Sequence, residues 1–287
     1  MSDYVITTDS NSDVLPEFIK ENDLTIIPQY YSFGDTVYGD ELNMPPHEFY
    51  ETMRKGELPK SQANNPAVIR DKFEKILKEG KNILHIAFSS ALSGSCNNVV
   101  MTANELLEDY PDRKIMVFDS LNASLGEGVS VYRAVELWKE EKSMEEVYDI
   151  LMEERDHVNV SFTVNDLYHL QRGGRVSKTT AVVGSLVNIK PILTINRGGK
   201  LDTIDKKRGN KQAMKGLISR FQDTYDPELG NTVYICCADC MDDARSLKES
   251  LLETEPGLEV KITMLSPIIG AHTGPDMLSL IHFGRNR

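Results

Sequence analysis

A run of seven residues, 82–88 (Asn-Ile-Leu-His-Ile-Ala-Phe), leaves this chain little choice of architecture. The run is of strand length, nearly all apolar and without a polar face. It must therefore be covered on both sides, as the strands of parallel sheets are. It opens into the small-residue loop Ser89-Ser90-Ala91-Leu92-Ser93-Gly94-Ser95 and then into a helical pattern over 93–107. A buried strand passing through a short loop into a helix is the repeating unit of a parallel α/β sheet. The rest of the first half keeps that rhythm. Strands are expected at 4–8, 24–31 and 114–119, and helices near Pro16 and at 45–54, 66–78, 125–141 and 144–157. Val68, Ile69, Phe73, Ile76 and Leu77 recur at helical spacing, and Gly80 ends that helix. Asp13 stands where it can cap the helix near Pro16.

From residue 161 the pattern changes. Strands at 161–164 and 190–196 flank the turn Arg172-Gly173-Gly174-Arg175 and a helix expected near 179–187. Arg197-Gly198-Gly199-Lys200 reads as a hairpin turn into a strand at 201–205. A helix at 211–224, a strand at 232–237, a helix at 242–253 and a strand at 259–265 follow. A hairpin among αβ units suggests a mixed sheet in a second domain. The fold class is therefore α/β with two domains: an α/β/α parallel-sheet domain over 1–160 and an α/β domain with a mixed sheet over 161–287.

Across 287 residues, 32 Lys+Arg against 44 Asp+Glu leave a formal net charge of −12. That balance argues against binding nucleic acid or docking on anionic lipid as the main task. The longest apolar stretch, 181–195, is broken by Asn188, Lys190 and Pro191, so no segment reads as an integral membrane span. Four cysteines, three of them at Cys236, Cys237 and Cys240, do not make a disulfide framework. With no export signal at the N-terminus, the chain is expected to be soluble and cytoplasmic. The histidines share no metal-ligand spacing, and the sequence holds no phosphate-binding glycine loop or dinucleotide fingerprint, so neither metal nor cofactor is expected.

The loop after the 82–88 strand carries the most chemistry. Free helix N–H groups, the hydroxyls of Ser93 and Ser95 and the open backbone of Gly94 form a cradle for an anionic group at the carboxyl edge of a parallel sheet. Simple capping of the helix by the same serines is the alternative use of the pattern. The polar loops 9–13 and 119–124 follow other strands in the same way, so three such loops are expected along one edge. His85 reads as a core residue of its strand. His272 lies in Gly270-Ala271-His272-Thr273-Gly274-Pro275, which reads as irregular, where a polar side chain has little packing reason to exist. Cys237 and Cys240 sit between a strand and a helix, where a redox dithiol would sit, although Cys236 beside them suggests small strand filler. Basic islands at 172–178 and 206–211 read either as solvated faces or as a docking surface for an acidic partner.

These motifs, taken in order, resemble the DegV family. The resemblance rests on Thr8-Asp9-Ser10-Asn11-Ser12-Asp13, Ser90-Ala91-Leu92-Ser93-Gly94-Ser95, and Asp119-Ser120 with Ser124-Leu125-Gly126-Glu127-Gly128. It continues through Asp166–Arg175 and Asn188-Ile189-Lys190-Pro191-Ile192-Leu193, covering residues 4–284. It implies a long-chain fatty acid bound between the two domains. The best understood members are lipid-binding subunits of bacterial fatty acid kinase, which present the acyl carboxylate to a separate ATP-dependent subunit. On that pattern Ser93, beside Gly94, hydrogen-bonds the carboxylate, and Ser61, at a position usually held by threonine, and His272 join the network. Arg175 and Arg208 match basic positions that dock the kinase, and both are expected outside the lipid site. The apolar segments 181–195 and 260–269 read equally as tunnel wall or as core packing. Gly274-Pro275-Asp276 departs from the family's Gly-Pro-Gly next to His272. The resemblance implies a carrier, not an enzyme. The alternative is a small-molecule kinase or phosphotransferase-like enzyme related to dihydroxyacetone kinase, in which His272 would form a covalent adduct with a carbonyl substrate.

Overall fold

A computed structural model of the chain describes residues 3–165, 167–177 and 188–287. The helix expected near 179–187 lies outside the described residues. The first half runs β1 (Tyr4–Asp9), α1 (Pro16–Glu21), β2 (Thr25–Ile27), β3 (Tyr30–Phe33), β4 (Thr36–Tyr38), α2 (Pro46–Arg54), β5 (Lys60–Gln62), α3 (Pro66–Lys78), β6 (Asn82–Ala87), α4 (Ser95–Asp109), β7 (Ile115–Asp119), α5 (Leu125–Lys139) and α6 (Met144–Glu154). The second runs β8 (Val158–Thr163), α7 (Tyr168–Arg172), β9 (Ile189–Ile195), β10 (Leu201–Arg208), α8 (Asn210–Thr224), β11 (Thr232–Cys237), α9 (Met241–Thr254), β12 (Glu259–Met264), α10 (Pro267–Thr273) and β13 (Leu278–Phe283).

The first sheet has the order β2-β1-β6-β7 and is parallel throughout. The apolar run at 82–88 is its inner strand, and the alternation along that strand explains its composition. Ile83 packs with Ile69, Phe73 and Val99 on the face covered by α3 and α4. Leu84 and Ile86 pack with Val131, Val135, Met144 and Leu151 on the face covered by α5 and α6. With helices on both sides, the buried residues of both faces of the strand are apolar apart from His85. His85 is fully buried, shares a hydrogen bond of 2.9 Å with Thr7 Oγ1 and lies edge-on to Phe73.

The second sheet has the order β10-β9-β8-β13-β11-β12; its β11–β12 pair is parallel and its other pairs are antiparallel. The mixed sheet is as expected, with the Arg197–Lys200 turn joining β9 to β10. One face packs on α8 and α9 through Val233, Ile235, Leu278 and Leu280. The other turns Val160, Phe162, Leu193 and Ile281 toward α5, where Leu125 and Val129 meet them. Helix α5 thus lies between the two sheets. Gly126 and Gly128 make that approach possible, since a Cβ on Gly128 would stand 2.6 Å from Ser12 O and one on Gly126 would stand 2.7 Å from Val160 Cγ2.

Several expectations are corrected. The strand expected at 24–31 is two strands, β2 and β3, which belong to different sheets and are separated by Pro28 and Gln29. Asp13 does not cap α1, which begins after Leu15 without a side-chain cap. Its buried carboxylate instead accepts hydrogen bonds from Ser124 Oγ and from the Ser266 N–H (3.0 Å), tying the loop after β1 to the start of α10. His272 lies on α10, not in irregular chain. A small antiparallel sheet of order β4-β3-β5 and the inner strand β13 were not expected.

Candidate functional site

A cavity opens at the carboxyl edge of the first sheet, against the inner face of the second. The three polar loops all reach it, contributing Asn11, Ser93 and Gly94, and Ala123 and Ser124. Its apolar wall includes Phe88, Val160, Phe162, Ile195, Leu201 and Ile281. These belong to the strands of both sheets and to the loops at their ends, where inward-facing side chains alternate with outward ones.

The polar end gathers residues distant in sequence. Ser61 stands on β5 opposite Tyr31 of β3, and its Oγ shares a hydrogen bond of 2.6 Å with Nε2 of His272. The two are held by a common brace, since one Arg172 amino group donates to Pro59 O at 2.9 Å and to Ala271 O at 3.2 Å. Burial, with Arg172, Arg175 and His169 nearby, pushes His272 down to about 4, so its ring is neutral at ordinary pH. Ser93 precedes α4; its Oγ lies 2.9 Å from Ser95 Oγ and accepts the Ser95 N–H at 3.2 Å. Gly94 has open space where a side chain would be. Neutral donors clustered at a helix start suit an anion.

The expectation that Arg175 stands outside this site is corrected. Arg175 lines the cavity and is also part of the outer groove formed with Leu92, Lys200 and Leu201. Its guanidinium donates to Leu92 O at 3.1 Å and to Gly173 O, and no carboxylate among the described residues forms an ion pair with it. Burial accordingly lowers its pKa. Arg208 differs. It is exposed at the end of edge strand β10 and is not among the residues lining the cavity.

Behind the polar end lie three carboxyls that the sequence showed only as a helix cap, Asp13, and as members of motifs, Asp9 and Glu127, not as a buried group. Burial raises Asp9 to about 6 although Phe88 N–H donates to it at 2.9 Å, and it raises Asp13 to about 6. Glu127 accepts from Thr8 Oγ1 at 2.8 Å and is pushed well above the usual carboxylate range, first by burial and then by Asp9. Asn11 and Gln29 also line the cavity, joined by a 3.0 Å hydrogen bond between their amides. The polar loop motif after β1 signalled Asn11; nothing in the sequence signalled Gln29.

Other expectations divide. Ile195, Ile268 and Ile269 line the cavity, residues 181–187 lie outside the described residues, and Val260 packs under α9 away from it. Cys236 and Cys237 are buried, and the Cys240 thiol donates to Met277 O at 3.3 Å. Asp276, which departs from the Gly-Pro-Gly pattern, has a left-handed backbone, with φ of +62°. Its carboxylate accepts from Arg54 at 2.6 Å and from Asn165 Nδ2 at 2.7 Å, and its N–H donates to Ala238 O at 2.8 Å. Among the described residues no helix is long and apolar enough to cross a membrane.

Comparison with known proteins accords with this geometry. The family model described as uncharacterised protein, DegV family, matches residues 3–284. The DegV domain-containing protein CPE0026 of Clostridium perfringens is 36% identical over 99% of this chain and 98% of its own. A DegV family protein from Thermus thermophilus, described as fatty-acid binding, superposes with a TM-score of 0.87 at 28% identity, covering 98% of this chain and 99% of its own. DegV from Bacillus subtilis, described as a fatty acid binding protein, superposes with a TM-score of 0.86 at 25% identity over 99% of this chain and 100% of its own. This chain belongs to the DegV family.

Proposed function

We propose that this chain is a fatty-acid-binding carrier that buries a long-chain acyl tail and presents the carboxylate to a separate ATP-dependent fatty acid kinase subunit. The observation that carries the reading is the cavity wall. Among the described residues it is largely apolar, and its polar end holds one fixed cation, Arg175, and no carboxylate. An anion with a long apolar tail suits such a wall. Each buried methylene stabilises by about 0.8 kcal/mol, so a long tail gains on the order of 10 kcal/mol before ordering costs. That gain is kept only if the carboxylate finds donors. Ser61, Ser93 and His272 would supply them, Gly94 would leave the head room, and Arg175 would balance its charge. The fatty-acid-binding descriptions of the Thermus and Bacillus relatives support the ligand class. A fixed cation also favours an acid over the neutral carbonyl substrate of a dihydroxyacetone-kinase-like enzyme.

In this reading 1–160 and 161–287 are two domains with the lipid between them. The chain works in the cytoplasm without a cofactor and turns over no ATP itself, and Arg208 on the exposed edge strand meets an acidic surface of the kinase. The test is mass spectrometry of the denatured protein after loading with palmitic acid, followed by an acyl phosphate assay. Stoichiometric fatty acid is expected, with acyl phosphate appearing only when ATP and the kinase subunit are both added. Protein that takes up no fatty acid, or that consumes ATP alone, overturns the proposal.

A further inference from the structure

The successive glycines Gly173 and Gly174 follow α7 directly, and they are glycine for different reasons. Gly174 has φ of +76° and nothing within 4 Å of where a Cβ would stand, so its backbone conformation asks for glycine. Gly173 has φ of −74° and ψ of −8°, an ordinary helical conformation open to every residue. Its constraint is steric. A Cβ there would collide with His272 Nδ1 and stand 3.0 Å from His272 Cε1. The ring has no easy retreat. Its far nitrogen is held by Ser61, and its helix α10 is packed against α7, α2, β3 and β5.

We propose that Gly173 is a positioning residue for the polar end of the cavity: the missing side chain lets the His272 ring stand where Nε2 meets Ser61 Oγ. The consequence for the ligand rests on the fatty-acid reading given above; the steric relation does not. The Gly173 N–H donates to His169 O at 2.9 Å and its carbonyl accepts from Arg175, so the residue that lies against the His272 ring also bonds the cavity's cation. Any residue larger than glycine would drive the imidazole away from Ser61, or push the α7 end outward and carry Arg175 with it.

Two readouts test this. The first, which needs no ligand, is the titration of the His272 imidazole followed by nitrogen-15 NMR. In the unaltered protein it should stay neutral down to about 4. Gly173→Ala should shift the titration toward the ordinary histidine value, because the displaced ring loses its buried position. The second is palmitic acid affinity, which Gly173→Ala should weaken by about 10- to 150-fold, the worth of a hydrogen bond to a charged group. In a His272→Ala background, Gly173→Ala should cost nothing further. An unshifted titration, an equal affinity loss in the His272→Ala background, or an equal titration shift from Gly174→Ala overturns the proposal. If Gly173→Ala does not fold, the double variant should regain a thermal transition, and its failure to do so also overturns it. If the titration shifts while even the unaltered protein binds no palmitic acid, the positioning role stands and the fatty-acid reading falls.

Discussion

Replacing Arg175 with methionine separates the charge of the ligand from its tail. The guanidinium is half-buried, bonded to two backbone carbonyls and forms no ion pair with a carboxylate among the described residues. A ligand carboxylate beside it would gain a charge-assisted hydrogen bond, worth about 1.5–3 kcal/mol. Arg175→Met keeps the length and apolar stem, so it should weaken palmitic acid by about 10- to 150-fold. Hexadecan-1-ol has the same tail and no charge. Its affinity should change by less than about threefold, since the tail's contribution of about 0.8 kcal/mol per methylene is untouched. Arg175→Lys should fall between, because an ammonium restores charge but not the planar fork. Isothermal titration calorimetry on delipidated protein at pH 7.5 reads all of these values. Equal losses for acid and alcohol would assign the arginine to packing. Unchanged acid binding with lost acyl phosphate formation would assign it to the kinase surface, and either result refutes the charge-pairing argument.

Two further outcomes follow from buried groups. Asp13 has its folded pKa raised to about 6, so between there and the unfolded value near 3.8 the folded chain binds the extra proton and gains stability as pH falls. His85 and His272, depressed to about 3 and about 4, act the opposite way, losing stability as pH falls below the unfolded value near 6.5. Asp13→Asn removes one compensating proton, so its urea-unfolding free energy should fall relative to the unaltered protein by about 1.4 kcal/mol per pH unit between pH 6 and 4; parallel curves would show that Asp13 does not titrate there. Gly128→Ala should destabilise by about 2 kcal/mol in thermal unfolding, although alanine is the better helix former by about 1 kcal/mol, because its Cβ would stand 2.6 Å from Ser12 O; a stabilised variant would mean that α5 does not pack as described.

The layered α/β architecture was legible in the chain because periodicity and covering are local matters. The apolar run at 82–88 could only be a strand covered on both faces, and the serine-rich loop after it could only face the sheet edge. Helix α3 matches its predicted bounds because Pro66 starts it and Gly80, at φ of +82°, ends it. The same logic located Ser93 and Gly94. It failed where one residue has two uses separated in sequence. Asp13 looked like a local cap, but its carboxylate is satisfied by Ser124 and Ser266, and no local pattern records a bond across 253 positions. His272 looked irregular because Gly270 and Gly274 flank it, yet Gly270 is there for Tyr50, whose hydroxyl would meet a Cβ at 2.5 Å. The charge sign of Arg175 suggested a surface, whereas its environment depends on Leu92 and Gly173 closing around it. Elements and loops follow from the order of residues along the chain. Which buried polar group faces which partner is decided only when the two sheets close on α5, because burial, and the hydrogen bonds it makes obligatory, exist only in the closed structure.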